Sequence, residues 1–147
     1  MVDDVDRALL VLLQQDATQS YETLGQAVGL SAGSAHARVR KLRDRGVIRR
    51  TTIEVDPAAI GRGVCAYVLI KAGEWMGDPP TRDALLAIAG IQEAHIVAGA
   101  ASLLVKVRTA TTEELQATLR EIFAVEGVTG TETVVVLETF FEKPVRP

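Results

Sequence analysis

Gly29 to Arg50, GLSAGSAHARVRKLRDRGVIRR, is the stretch whose reading decides the fold. Ser31 is a helix-capping residue type, and behind it Ala35, Val39 and Leu42 recur at i, i+4 and i+7, the spacing of one inward stripe on an α-helix. The rest of the stretch is basic. Arg38, Arg40, Lys41, Arg43, Arg45, Arg49 and Arg50 stand against the single acid Asp44, a local charge of +6 in a chain whose net charge is −3. The compensating acid lies elsewhere, with −4 on residues 1–30 and −5 on residues 51–147. Such polarity predicts a polyanionic partner at one end of the molecule.

The residues before this helix sharpen the expectation. Asp3 caps a first helix over residues 3–15, with Val5, Ala8, Leu9, Leu12 and Leu13 along one stripe. Ser20 caps a shorter helix with Leu24, Ala27 and Val28 on one side, and Gly29 supplies the left-handed residue that ends it. Leu24, Val28, Val39 and Leu42 are then the facing set of a small three-helix core. Helix, glycine turn, basic helix is the helix-turn-helix pattern, which offers the start of the second helix to a DNA major groove about 12 Å wide. The plainer alternative is a solvated charged helix that follows a turn. Two caps, a glycine and the local charge coincide here, and together they favour the groove. Base-edge candidates are Ala32, Gly33, His36, Ala37 and Arg40, with the capping Ser31 at the same surface. Ser34, Arg38, Lys41, Arg49 and Arg50 read as phosphate ligands. Arg43 and Arg45 oppose the helix dipole in the last turn.

Beyond Gly46 the rhythm changes. Val47 to Val55 is β-branched and extended, a short wing or a strand leading away, and Asp56-Pro57-Ala58-Ala59-Ile60-Gly61 reads as one capped turn. The expected organisation is a DNA-binding domain over 1–55, a linker over 56–63 and a second domain over 64–147. In that second domain Val64–Ile70 is a strand, and Gly73–Pro80 a loop carrying the lone Trp75. Thr81 is expected to cap a helix with Leu85, Leu86 and Ile88, closed by Gly90. Ile91–Ala98 and Ser102–Arg108 form a hairpin through Gly99-Ala100-Ala101. Thr111 or Thr112 caps a helix with Leu115, Leu119, Ile122 and Phe123, closed by Gly127, and Val128–Phe141 is the last strand, densest at 133–137. The order βαββαβ with right-handed crossovers predicts a ferredoxin-like, four-stranded antiparallel sheet with both helices on one face, an α+β class overall. Among Tyr67, Val97, Val105, Val135 and Leu137, several apolar residues are expected on the other face. An apolar face of several hundred Å² calls for a second subunit. A dimer also sets two recognition helices about 34 Å apart, one duplex turn.

Composition bounds the rest. With 147 residues and 48% apolar content the chain folds as one domain or two small ones, and with 4% aromatics its core is aliphatic. A single cysteine, Cys65, forms neither an intrachain disulfide nor a multi-thiolate metal site. No apolar segment approaches the ~18 residues of a membrane span, and Asp3, Asp4 and Asp6 stand where a signal peptide would be basic. A cytoplasmic protein is expected, without a membrane partner and without a catalytic, cofactor or metal site. His95, in a strand between Ala94 and Ile96, reads as a structural residue pointing to the dimer face; Trp75 reads as a subunit contact.

Nearly the whole chain also resembles the Lrp/AsnC family of feast/famine transcriptional regulators. The resemblance is carried by Val2-Asp3-Asp4-Val5-Asp6, Val28-Gly29-Leu30-Ser31, Arg38-Val39-Arg40-Lys41-Leu42 and Gly46-Val47-Ile48, then by Asp56-Pro57 with Gly61, Gly99 and Gly127-Val128, in that order and spacing. It implies double-stranded DNA as partner, homodimers that assemble further, often into octameric discs, and control by an amino acid or related small-molecule effector bound where dimers meet. It also implies that the effector turn is Gly99-Ala100-Ala101-Ser102. The family commonly has glycine, aspartate, any residue, aspartate there. The backbone N–H cradle for a carboxylate is expected to survive that change, whereas the acids that answer an ammonium group are gone. A second departure is Gly25, where the family prefers alanine inside the helix.

Two other functions fit the same fold. The similar sirohaem decarboxylases are enzymes whose clefts rely on histidine and arginine, and this half of the chain offers His95 with scattered Arg62, Arg82, Arg108 and Arg120. An architectural protein wrapping DNA around an oligomeric disc with little sequence preference is the other.

Overall fold

The computed structural model describes residues 1–147, which divide into two compact units: Met1–Glu54 with Phe141–Pro147, and Val55–Phe140. In the first, α1 (Asp4–Gln15), α2 (Tyr21–Val28) and α3 (Ala32–Asp44) pack around buried Leu9, Leu24, Ala35 and Val39, with Val5, Leu12, Leu13, Val28 and Ile48 partly buried against them. Ala8 and Ala27, expected on the inward stripes, are exposed. Asp3, Ser20 and Ser31 cap the three helices, each side chain accepting the backbone N–H three residues on.

The turn between α2 and α3 rests on two glycines. Gly29 takes φ 73°, the left-handed conformation that glycine adopts without a steric cost. The carbonyl of Gly25 accepts the Leu30 N–H at 2.8 Å, drawing the turn back over the helix. A Cβ on Gly25 would lie 2.5 Å from the Leu30 carbonyl oxygen, so this close approach of backbone explains a glycine inside α2.

After Gly46, at φ 72°, the expected wing is absent: residues 47–63 contain no strand, and Asp56–Gly61 is a hydrogen-bonded turn. β-branched residues favour extended backbone, but a strand needs a partner, and none pairs with this segment.

The second unit contains β1 (Val64–Ala72), α4 (Pro79–Leu86), β2 (Ile91–Ile96), β3 (Leu103–Thr109), α5 (Thr112–Phe123) and β4 (Val128–Val135). The sheet is antiparallel throughout in the order β2-β3-β1-β4, so each helix crosses over one intervening strand, as the ferredoxin-like reading requires. Ala66, Val68, Ile70, Leu103, Val105 and Val107 meet Leu85, Ile88, Leu115 and Ile122 in the core. Val105 therefore faces the helices, contrary to expectation. Val135 is opposite Ala66 and shares its face, since directly paired residues project to the same side. The face without helices instead carries Tyr67, Leu69, Leu104 and Val134, joined by Glu93, His95, Lys106 and Arg108.

Element boundaries also moved. Asp78, not Thr81, caps α4, its carboxylate accepting the Thr81 N–H at 2.8 Å, with Pro79 and Pro80 filling the first helical positions where no N–H is needed. That hydrogen bond holds the Asp78 carboxyl below its ordinary value. Leu86 and Phe123 are exposed, not in the core, and β4 ends at Val135 because its partner β1 runs out near Cys65.

Candidate nucleic-acid interface and effector turn

On α3 the buried side is Ala35, Val39 and Leu42, and all other residues from Ser31 to Lys41 except the half-buried Arg38 are exposed. Ser31, Ala32, Gly33, Ser34, His36, Ala37, Arg40 and Lys41 thus form one accessible surface at the N-terminal part of the helix. Ser31 and Ser34 are partly engaged with each other, since the Ser34 N–H donates to Ser31 Oγ at 3.1 Å. Gly33 has open space around its Cα, so nothing in the chain hinders close approach there. The His36 ring meets Tyr21 edge to face at 4.6 Å between centroids, a contact that fixes the imidazole against α2 and that sequence spacing alone did not signal.

The cations separate into three groups. Lys41, Arg43, Arg45, Arg49 and Arg50 form no ion pair within the chain. Arg40 Nε lies 3.9 Å from Asp44 Oδ2 across one exposed helical turn, an interaction of little energy that a better anion can displace. Arg38, expected as a phosphate ligand, is paired with two acids, one in α1 and one at its N-cap. Its Nη1 donates to Asp3 Oδ2 at 2.7 Å and Asp6 Oδ1 at 2.9 Å. Hydrogen bonding to Arg38, then to the Asp6 backbone, keeps the Asp3 carboxyl below its ordinary value, while the two acids raise that of Arg38.

In the second unit Gly99 adopts φ 137° at the tip of the hairpin, a glycine conformation. The expected cradle is narrower than four N–H groups: that of Ser102 donates to the Ile70 carbonyl at 2.9 Å, leaving Gly99, Ala100 and Ala101 without backbone partners. A cleft of about 460 Å³ lies between α4 and the edge strand β2, walled by Leu85, Ile91, Ala94, Ile96 and Leu103. Ile96 and Leu103 are the last pair before the turn, so cleft and turn adjoin, although none of Gly99–Ser102 lines the cleft. Sequence reading missed this cleft because its walls come from elements brought together only by the crossover. His95 pairs with Glu93 at 3.2 Å on the exposed sheet face, and no group of three or more His, Cys, Asp or Glu side chains is placed to hold a metal ion.

A capped, basic, exposed helix behind a glycine turn, joined in one chain to a ferredoxin-like sheet with a cleft, defines a helix-turn-helix regulator carrying a ligand-binding domain. The model of the AsnC-type helix-turn-helix domain matches residues 2–43, and that of the Lrp/AsnC ligand-binding domain matches residues 65–145. The chain belongs to the Lrp/AsnC family of DNA-binding transcriptional regulators. It is 35% identical to the HTH-type transcriptional regulator FL11 of Pyrococcus abyssi, over 96% of this chain and 93% of that one. The structure of Escherichia coli AsnC superposes with a TM-score of 0.90 at 28% identity, covering 100% of this chain and 99% of that one. The feast or famine regulatory protein of Mycobacterium tuberculosis, complexed with L-methionine, gives a TM-score of 0.89 at 30% identity with both chains fully covered.

Proposed function

We propose that this regulator reads double-stranded DNA with the N-terminal half of α3, placing Ser31, Ala32, Gly33, His36, Ala37 and Arg40 at base edges. Ser34, Lys41, Arg49 and Arg50 take backbone phosphates. The observation that carries this is the α3 surface itself: small residues that permit close approach lie beside cations that no acid of the chain neutralises strongly. The protein acts as a cytoplasmic homo-oligomer and not as an enzyme. Its dimer forms across the helix-free sheet face, where Tyr67, Leu69, Leu104 and Val134 need cover, and dimers assemble further to an octamer. The effector is an amino acid or related metabolite whose carboxylate meets the N–H groups of Gly99, Ala100 and Ala101, with the Ser102 hydroxyl beside them and the neighbouring cleft receiving its apolar part.

The test is binding to a duplex from the chain's own upstream region and to a random duplex of equal length, across a salt series. The expected result is tighter binding to the first, with log K falling linearly in log salt by about 0.9 per phosphate neutralised. Equal affinity for both duplexes would favour the architectural reading; no retardation of either at low salt would overturn both.

A further inference from the structure

Arg38 stands on a helix otherwise turned toward DNA, yet its surroundings are acidic. Asp3 and Asp6 are the N-cap and third residue of α1, and each carboxylate already accepts the other's backbone N–H, at 2.8 Å for Asp6 N–H to Asp3 Oδ1 and 3.2 Å for the reverse. The capping box therefore orients both acids before any guanidinium arrives. Asp6 is 7% exposed, the one buried carboxylate in the chain, and a buried charge is tolerated when it is paired. Arg38 Nη1 bridges the two. Two helical turns further along the same stripe, Arg45 Nη1 donates to the Met1 carbonyl at 3.3 Å, so the residues leading into α1 are clasped to α3 at two points. One guanidinium between two carboxylates leaves a net negative charge, which repels a phosphate where an isolated arginine would attract it.

We infer that Arg38 is a positioning residue: the Asp3–Asp6–Arg38 triad sets the seat of the recognition helix on α1, and Arg38 does not take a DNA phosphate. The inference rests on the DNA-binding reading, and its consequences for the two acids have the opposite sign from those of a phosphate ligand. If Asp6 merely competed with DNA for Arg38, removing its charge would free the guanidinium and tighten binding. If the triad seats the helix, the same change loosens it.

The experiment is fluorescence anisotropy of the full chain with a 30-bp duplex, from low salt to roughly 0.2 M, at a temperature where each variant is fully folded by circular dichroism. Asp6→Asn keeps the capping acceptor and removes the charge; it is expected to weaken binding about three- to tenfold with the salt slope unchanged. Arg38→Met is expected to weaken binding with an unchanged slope, and Arg38→Lys, which reaches one acid, to fall between it and the wild type. Arg49→Ala serves as the contrast, its slope falling by about 0.9. Tighter binding by Asp6→Asn, or a slope lowered by about one unit in Arg38→Met, overturns the inference. Asp3→Asn, at an exposed carboxylate, is the second variant should Asp6→Asn fail to fold, with a smaller weakening expected and any tightening counting against the triad. A wild type that binds no duplex refutes the regulator reading instead. In that case non-additive melting shifts of Arg38→Met and Asp6→Asn still support the clasp, and additive ones dismiss it.

Discussion

The recognition helix and the sheet that follows it differ in how side chains find their faces. On α3 the buried positions are Ala35, Val39 and Leu42, the ones its 3.6-residue period dictates, because a helix carries its own hydrogen bonds and its polar face follows from its apolar stripe. On the sheet, period-2 alternation is equally regular, but its phase depends on which partner a strand pairs with. A phase error of one residue exchanges the two faces, which is how Val105 came to be expected on the open face and lies in the core instead. Local periodicity is thus enough to place the exposed residues of α3, whereas the two faces of the sheet need the register.

The most severe test of that contrast is a charge on each face of β3. Val105→Asp puts an unpaired carboxylate into the core and is expected to abolish folding of the second unit, a cost of several kcal/mol; Leu104→Asp, one residue away, should fold and lose self-association, both read by circular dichroism and sedimentation. Leu24→Ala in the helical unit removes a fully buried side chain and should cost about 2–5 kcal/mol in chemical denaturation. Gly25→Ala separates local from tertiary reasoning: propensity alone predicts a gain of up to ~1 kcal/mol, while the Cβ clash with the Leu30 carbonyl predicts a loss of about 1–3 kcal/mol. Ser31→Ala should lower stability by roughly 1 kcal/mol through loss of the α3 cap.

The smallest effect expected is that of acid. Asp3 and Asp78 both have folded values below their ordinary 3.8, so their contributions are complete above that value and disappear as pH falls through the lower folded one. Glu113, lowered from its ordinary 4.5, and Asp16 act in the same sense, so melting temperatures should be flat from neutrality to about pH 5 and fall below it, and Asp3→Asn should remove only part of the decline due to the helical unit, where Asp16 remains.

Most of the candidate site was legible. Ser20, Gly29 and Ser31 announced the turn through capping chemistry, and the α3 surface followed from periodicity. The acid partners of Arg38 were not legible, because cationic character is visible in sequence while the acids that pair with it, 32 and 35 residues away, are not. At Gly99–Ser102 the turn was placed correctly, but the Ser102 N–H proved committed to Ile70, a partner on another strand. The wing failed for a related reason: Val47 to Val55 has strand composition and no strand to pair with.

The sequence by itself determined the order of the helices and strands, the caps of the first three helices and the exposed basic surface, since these rest on interactions within a few residues. Tertiary structure alone decided which sheet face meets the helices, which arginine is held by the chain's own acids, and where a cleft opens beside the hairpin. Those outcomes depend on groups far apart in sequence, and their energies are set by a packing that no local pattern encodes.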